Sequence, residues 1–387
     1  MFYESAYSNR MFHFCTDKFH HTFLMILVQL VVICAMFPIA KTFELQHLKE
    51  NTEIRVTQDT YDKFVYFSKM CALATCITDY KLKVGETLYD GGCPSNLKFC
   101  SDLNVNPALK DTVIEVLLKL EEYQLGTGFL AVDHFHKILI LVFRGSTTSW
   151  DWFHDFLLMP SAYDPYSKEH YEKQVGEGKV PPCENCKLHY GFSNFWKTLH
   201  PEFVNRLESF AMKYPDYKLT ITGHSLGGVL ATMAGVEFKL RGFEPQVVTF
   251  AQPKLFNSEM AHWVNQLFAV YKRSQKIEDT REVEMFCENK GGLYRVVHEN
   301  DQLVDIPFFF HHAGLQIDIK KYETPHEIQD LKYVGVSKDV GTSSFNSSTN
   351  TLEKEAMSTE MELYQEDWLH MYEHRNYFIR INECGYI

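Results

Sequence analysis

With 387 residues, 45% of them hydrophobic, 23% charged and 14% aromatic, the chain has a globular composition and enough apolar mass for a sizeable core, which excludes an intrinsically disordered polypeptide. Its net charge of −12 at pH 7, with no basic stripe along it, excludes nucleic acid as a partner, because a polyanion would be repelled. Length alone allows one large α/β domain or two smaller ones.

The uncharged stretch from Phe23 to Ile39, FLMILVQLVVICAMFPI, is apolar on every face. Preceded by Arg10, Lys18, His20 and His21 and followed by the small residue Ala40, it has the make-up of a signal peptide over residues 1–40. That reading places the protein outside the cell or in the secretory lumen. An uncleaved signal anchor tethering it to a membrane is the alternative, since the run just reaches the short end of a span. Of the 10 cysteines, Cys15 and Cys34 lie in or before this run, leaving the even set Cys71, Cys76, Cys93, Cys100, Cys183, Cys186, Cys287 and Cys384. In an oxidising compartment such a set can pair throughout. The close pairs lack the second CxxC that a structural zinc site wants, and no metal is expected.

From Thr57 to Thr78 apolar residues recur at helical spacing, with Tyr61, Phe64, Val65, Phe67, Met70, Leu73 and Ala74 on one face, predicting an amphipathic helix. KILILVF, Lys137 to Phe143, is a short aliphatic run ending at Arg144-Gly145, as a buried strand does on leaving a sheet. There follow a predicted helix over Pro201 to Tyr214, a strand over Lys218 to Thr222, and a helix over Leu226 to Leu240. A strand over Gln246 to Phe250, a helix over Glu259 to Tyr271 and a strand over Leu293 to His298 complete the series. Strands alternating with helices imply a mostly parallel central sheet covered by helices. Residues 335–358 are polar without apolar periodicity and read as a surface insertion, which holds the sequon Asn346-Ser347-Ser348. One domain from residue 41 to 387 is the simplest organisation.

The strongest chemical signal is Gly223-His224-Ser225-Leu226-Gly227-Gly228, between a predicted strand and a predicted helix. This is the context a nucleophile elbow requires: the turn lifts the Ser225 hydroxyl above the sheet, and glycines on either side permit its sharpness. The helix that begins at once directs its N–H groups and positive dipole end toward the place where an oxyanion would form, with Leu226 N–H the natural first donor. A serine hydroxyl needs a base to take its proton and an acid to orient the base, here in the order Ser, acid, His. Asp301 follows the strand ending at His298 and is preferred over Asp305, which reads as a solvent carboxylate before Pro307. His311, His312, His326, His370 and His374 all satisfy the order, and spacing does not choose among them.

Five motifs in one order resemble the fungal class 3 lipases, which include filamentous-fungal triacylglycerol lipases and feruloyl esterases. They are Phe143-Arg144-Gly145-Ser146, Tyr214-Pro215-Asp216-Tyr217 leading into Thr222 to Gly228, Thr249 to Lys254, Arg295 to Asp301, and His374-Arg375-Asn376-Tyr377-Phe378. The likeness runs from about Thr57 to Cys384. It implies a single-domain α/β-hydrolase fold and hydrolysis of carboxylic ester bonds, those of lipids at a lipid–water interface, by a monomer without metal or organic cofactor. It selects His374 as base, with His370 in reserve and His311 and His312 as structural residues. Ser146 becomes the second oxyanion donor, and Ser149 to Phe156, SWDWFHDF, the lid, with Trp150, Trp152, Phe153 and Phe156 meeting the lipid. The implied disulfides are Cys76 with Cys384, Cys93 with Cys100, and Cys183 with Cys186; a fourth between Cys71 and Cys287 has no counterpart in the family. The chain departs from the family in a long interval between Asp301 and His374, which leaves the triad intact, and in Gln252, where a small residue would be typical, and a charged extension over Lys272 to Asn289, both of which bear on substrate choice. A feruloyl or other non-lipid esterase, and a catalytically silent lipid-binding protein, are the rival readings.

Overall fold

The structure is a computed structural model that describes residues 53–77, 82–118, 128–145, 159–285, 290–337, 371–381 and 384. The expected signal segment 1–40, Ser146, the lid aromatics Trp150, Trp152, Phe153 and Phe156, Cys287, Asn346, His370 and most of the 335–358 insertion lie outside the described residues.

The first helix, α1 (Gln58–Ala74), begins where the Thr57 hydroxyl accepts the Thr60 N–H, with Asp59 in the first turn complementing the dipole. Its buried face, including Phe64, Phe67, Met70 and Leu73, packs on the sheet. That sheet has eight strands: β1 (Thr112–Leu118), β2 (Gly128–Asp133), β3 (Ile138–Phe143), β4 (Lys218–His224), β5 (Gln246–Phe250), β6 (Gly292–His298), β7 (Leu315–Ile319) and β8 (Leu331–Val336). They lie side by side in chain order. From β3 to β7 every pairing is parallel, whereas β1–β2, β2–β3 and β7–β8 are antiparallel.

The helices of the crossovers are α2 (Lys168–Gly176), α3 (Tyr190–Leu199), α4 (Val204–Lys213), α5 (Leu226–Leu240), α6 (Ser258–Leu267) and α7 (Val270–Thr280). Every residue of β3, β5 and β6 is buried, as strands covered on both faces must be, while β1 alternates buried and half-buried positions. The four strands legible in the sequence are β3 to β6. The outer strands β1, β2, β7 and β8 were not, and the helix expected over Glu259 to Tyr271 is two: the chain breaks at Ala269, whose φ of 50° is left-handed. The first half of the charged extension, Lys272 to Thr280, is therefore folded in α7, and Glu282 and Val283 beyond it pair in parallel with Arg55 and Val56.

Residues 54–387 form one compact unit. Among the described residues three disulfides are present, Cys76–Cys384, Cys93–Cys100 and Cys183–Cys186. Cys71 is a free, buried thiol 3.5 Å from the Thr222 hydroxyl, so the fourth bridge does not form; burial pushes that thiol up to about 12.

Cys76–Cys384 ties the end of α1 to the chain terminus across 308 residues. Cys384→Ser should lower unfolding stability by about 2–5 kcal/mol in chemical denaturation; an unchanged midpoint would mean the terminus is held by packing alone.

Candidate active site

Strand β4 ends and α5 begins with one residue between them, Ser225, forced to φ 56° and ψ −125°. The cause is steric. A Cβ on Gly223 would stand 2.1 Å from the Gly227 carbonyl oxygen, and one on Gly227 would stand 2.3 Å from that of Phe143 at the end of β3. Only glycine lets these backbones approach so closely. The Ser225 N–H donates to Phe250 O on β5, 2.9 Å, so the strained residue is fastened from the neighbouring strand. Leu226 is the first residue of α5.

His374 lies in a short helical turn, Tyr372–Arg375. Its Nε2 is 3.0 Å from Ser225 Oγ, and its Nδ1 is 3.0 and 3.1 Å from the two oxygens of Asp301. All three side chains are buried: Ser225 is 7% exposed, Asp301 and His374 each 2%. The structure thus brings together the three residues chosen from sequence. Asp305 stands apart, mostly exposed and 3.7 Å from Lys254 Nζ. His312 donates from Nε2 to the Val304 carbonyl, and His326 Nδ1 accepts the Phe378 N–H; both are occupied with holding backbone. His311 pairs its backbone with Phe256.

Two residues that sequence reading did not assign complete the arrangement. The Tyr377 hydroxyl donates to Asp301 Oδ2 at 2.6 Å and accepts the His298 N–H at 3.0 Å, linking the carboxylate to the end of β6. Asp301 also accepts the Leu303 N–H. Burial alone would raise its carboxyl, but His374 and the hydrogen bonds from His374 and Tyr377 bring it below the ordinary value, so it is ionised. His224, next to the serine, donates from Nε2 to the His374 carbonyl at 2.6 Å and so holds the backbone of the imidazole that faces Ser225. Burial, reinforced by His374, pushes His224 down to about 3. The sequence signal for Tyr377 is its place three residues after the histidine. Gln252 accepts the Thr232 hydroxyl at 2.8 Å, tying the loop after β5 to α5. It is buried, and its Cβ would lie 3.0 Å from one on Gly228.

Chemically, this is a hydroxyl joined through an imidazole to a buried carboxylate, at the head of a helix. Such a chain can draw the hydroxyl proton toward the imidazole while the carboxylate balances the charge.

The chain is 41% identical over 335 residues to the Saccharomyces cerevisiae protein named "Putative lipase LIH1", an alignment covering 87% of this chain and 98% of that one. The family description "Lipase (class 3)" matches residues 140–311, from β3 through β6 and the acid loop. The chain belongs to the class 3 lipase family. It is accordingly a carboxylic ester hydrolase. The secreted mono- and diacylglycerol lipase 2 of Gibberella zeae is 28% identical over 228 residues, covering 54% of this chain and 53% of that protein. Among solved structures, the nonglycosylated LIP2 lipase of Yarrowia lipolytica shares the fold with a TM-score of 0.59 at 23% identity, over 86% of this chain and 98% of that one. The mono- and diacylglycerol lipase of Aspergillus oryzae does so with 0.58 at 20%, over 84% and 98%.

Tyr377→Phe should lower kcat roughly tenfold with little change in KM, and destabilise the fold by about 1–3 kcal/mol, because it strips hydrogen bonds from a buried carboxylate and a buried N–H. Full activity in the variant would show that Asp301 needs no such support. A second expectation concerns pH. Burial pushes His189 and His326 down to about 4, and His224 lower still, against 6.5 in the ordinary case. These imidazoles bind protons less readily folded than unfolded, so their contribution to stability is complete above pH 6.5 and is lost as pH falls from 6.5 toward 4. Urea denaturation between pH 7 and 4 should show unfolding taking up more than one proton; a pH-independent free energy would contradict this.

Proposed function

We propose that this protein hydrolyses the ester bonds of lipids, acylglycerols foremost, through an acyl-enzyme formed on Ser225. The observation that carries the reading is the 3.0 Å approach of His374 Nε2 to Ser225 Oγ, with His374 Nδ1 on Asp301. Ser225 Oγ attacks the ester carbonyl as His374 takes its proton. Asp301 holds the imidazole in the tautomer that presents Nε2 to the serine and balances the imidazolium that forms. The negative charge gathering on the carbonyl oxygen is met by the N–H of Leu226 at the head of α5 and by Ser146. His374 then protonates the leaving alcohol. Water, deprotonated by the same imidazole, releases the carboxylic acid and restores the serine.

The lipid substrate class rests on family membership and on the names of the relatives. Trp150, Trp152, Phe153 and Phe156 are proposed to cover the site and meet the lipid–water interface, with the protein acting as a monomer. Secretion is supported by three disulfides, the apolar segment from Phe23 to Ile39 and the secreted relative from Gibberella zeae. Among the described residues no helix is long and apolar enough to cross a membrane. On the make-up of its apolar segment, residues 1–40 are proposed as a cleaved leader, and 41–387 as one catalytic domain.

A fluorophosphonate should label Ser225 in the native protein and label nothing in Ser225→Ala, whose kcat should fall by about 10⁴-fold or more. Hydrolysis should be faster on emulsified acylglycerols than on monomeric aryl esters. Equal rates on monomeric esters and no action on emulsions would shift the reading to a non-lipid esterase, while labelling elsewhere would remove Ser225 from the mechanism.

A further inference from the structure

Helix α5 borders a second feature. Met233, Val236 and Glu237 line a cavity of about 390 Å³, within the ~300–1,000 Å³ that small-molecule sites occupy. At 1.5 Å per helical residue these positions stand roughly 12–18 Å along the axis from Ser225. None of Ser225, Asp301 and His374 lines the cavity.

Its floor is hydrocarbon: Leu188, Trp196, Met233, Val236, Phe256 and Met260 line it and all are buried. Above the floor the ring of Tyr166 stacks on the imidazole of His200 with centroids 3.5 Å apart. The loop bearing Tyr166 is fastened by Glu237, whose carboxylate oxygens accept the N–H groups of Tyr166 at 3.0 Å and Ser167 at 2.9 Å. Two of the lining residues each carry a buried polar atom with no hydrogen-bond partner among the described residues: the Tyr163 hydroxyl and His200 Nδ1. His200 is 7% exposed. A buried donor or acceptor left unmet is costly, and two in one cavity point to a ligand group that meets them.

The chemistry of the lining selects the ligand. A hydrocarbon floor takes one alkyl chain. Burial, with Arg241 adding to it, pushes His200 down to about 4, and burial holds the Tyr163 hydroxyl well above its usual range, so both are neutral at pH 7. Glu237 in the wall opposes an anion, and the lysines of the lining, Lys168 and Lys197, are exposed.

We propose that this cavity is a second lipid-binding site that holds an uncharged, hydroxylated amphiphile with one hydrocarbon chain, its hydroxyls on Tyr163 and His200. Partial glycerides, which hydrolysis of acylglycerols leaves behind, belong to this class. The choice of ligand rests on the ester-lipid reading above, and the cavity does not.

The probe is 1-O-decylglycerol, whose ether bond no esterase cleaves, titrated calorimetrically below its aggregation concentration. The protein is first blocked with a long-chain fluorophosphonate and the modified residue is read by mass spectrometry, so a failure to modify Ser225 is seen before any titration. The expected result is one saturable site in the blocked protein, abolished by Val236→Phe, which fills the cavity. Tyr163→Phe should weaken binding about 2–10-fold at unchanged melting temperature, as loss of one hydrogen bond does. It also serves as the test if Val236→Phe does not fold. Absence of saturable binding, binding indifferent to both substitutions, or decanoate binding more tightly than decylglycerol in a manner lost with Lys168→Ala and Lys197→Ala would each overturn the proposal.

Discussion

The close approach of three backbones at the end of the central strands governs the rest of this structure. β3, β4 and the first turn of α5 meet with so little room that side chains at 223 and 227 would overlap carbonyl oxygens. With glycine there, Ser225 is driven to a positive φ and held by the Phe250 carbonyl across the sheet. The strain is local, and the parallel sheet over-determines it, since β4 is hydrogen-bonded on both sides by β3 and β5. The position of the serine is therefore a property of the sheet rather than of a flexible loop.

The imidazole facing it depends on the opposite end of the sequence. His374 comes from a short turn, and its place is set by contacts from several directions. His224 holds its carbonyl, His326 accepts the N–H of Phe378, the Tyr372 hydroxyl accepts the N–H of Thr324, and Cys76–Cys384 closes the segment onto α1. Tyr61 on α1 adds a hydrogen bond to the His326 carbonyl and an edge contact with Phe378. Two of these supports are histidines kept neutral by burial. His224 can donate from Nε2 in either protonation state, but His326 Nδ1 can accept the Phe378 N–H only while unprotonated, which couples the architecture of the site to pH.

Burial of the carboxylate is tolerable only because its lone pairs are met. Asp301 has partners in His374, Tyr377 and Leu303. Tyr377 in turn accepts the last N–H of β6. A strand end, an acid and the histidine segment thus form one hydrogen-bonded unit, and removing its phenol would leave polar groups unmet at both ends.

The sequence by itself determined the buried strands β3 to β6, the elbow and the identity of its serine, because continuous apolar runs, a strand-turn-helix context and obligatory glycines are local patterns. Of the outer strands, β1 and β7 escaped it because they have only one well-covered face, and a half-buried alternation is a weaker signal than an unbroken apolar run. Spacing offered five histidines and no means of choosing; resemblance chose His374, and the 3.0 Å contact with Ser225 is a fact of three dimensions. The roles of Tyr377 and His224, and the free thiol of Cys71, were likewise decided only by tertiary structure. Each depends on distances between residues remote in the chain, which no periodicity records.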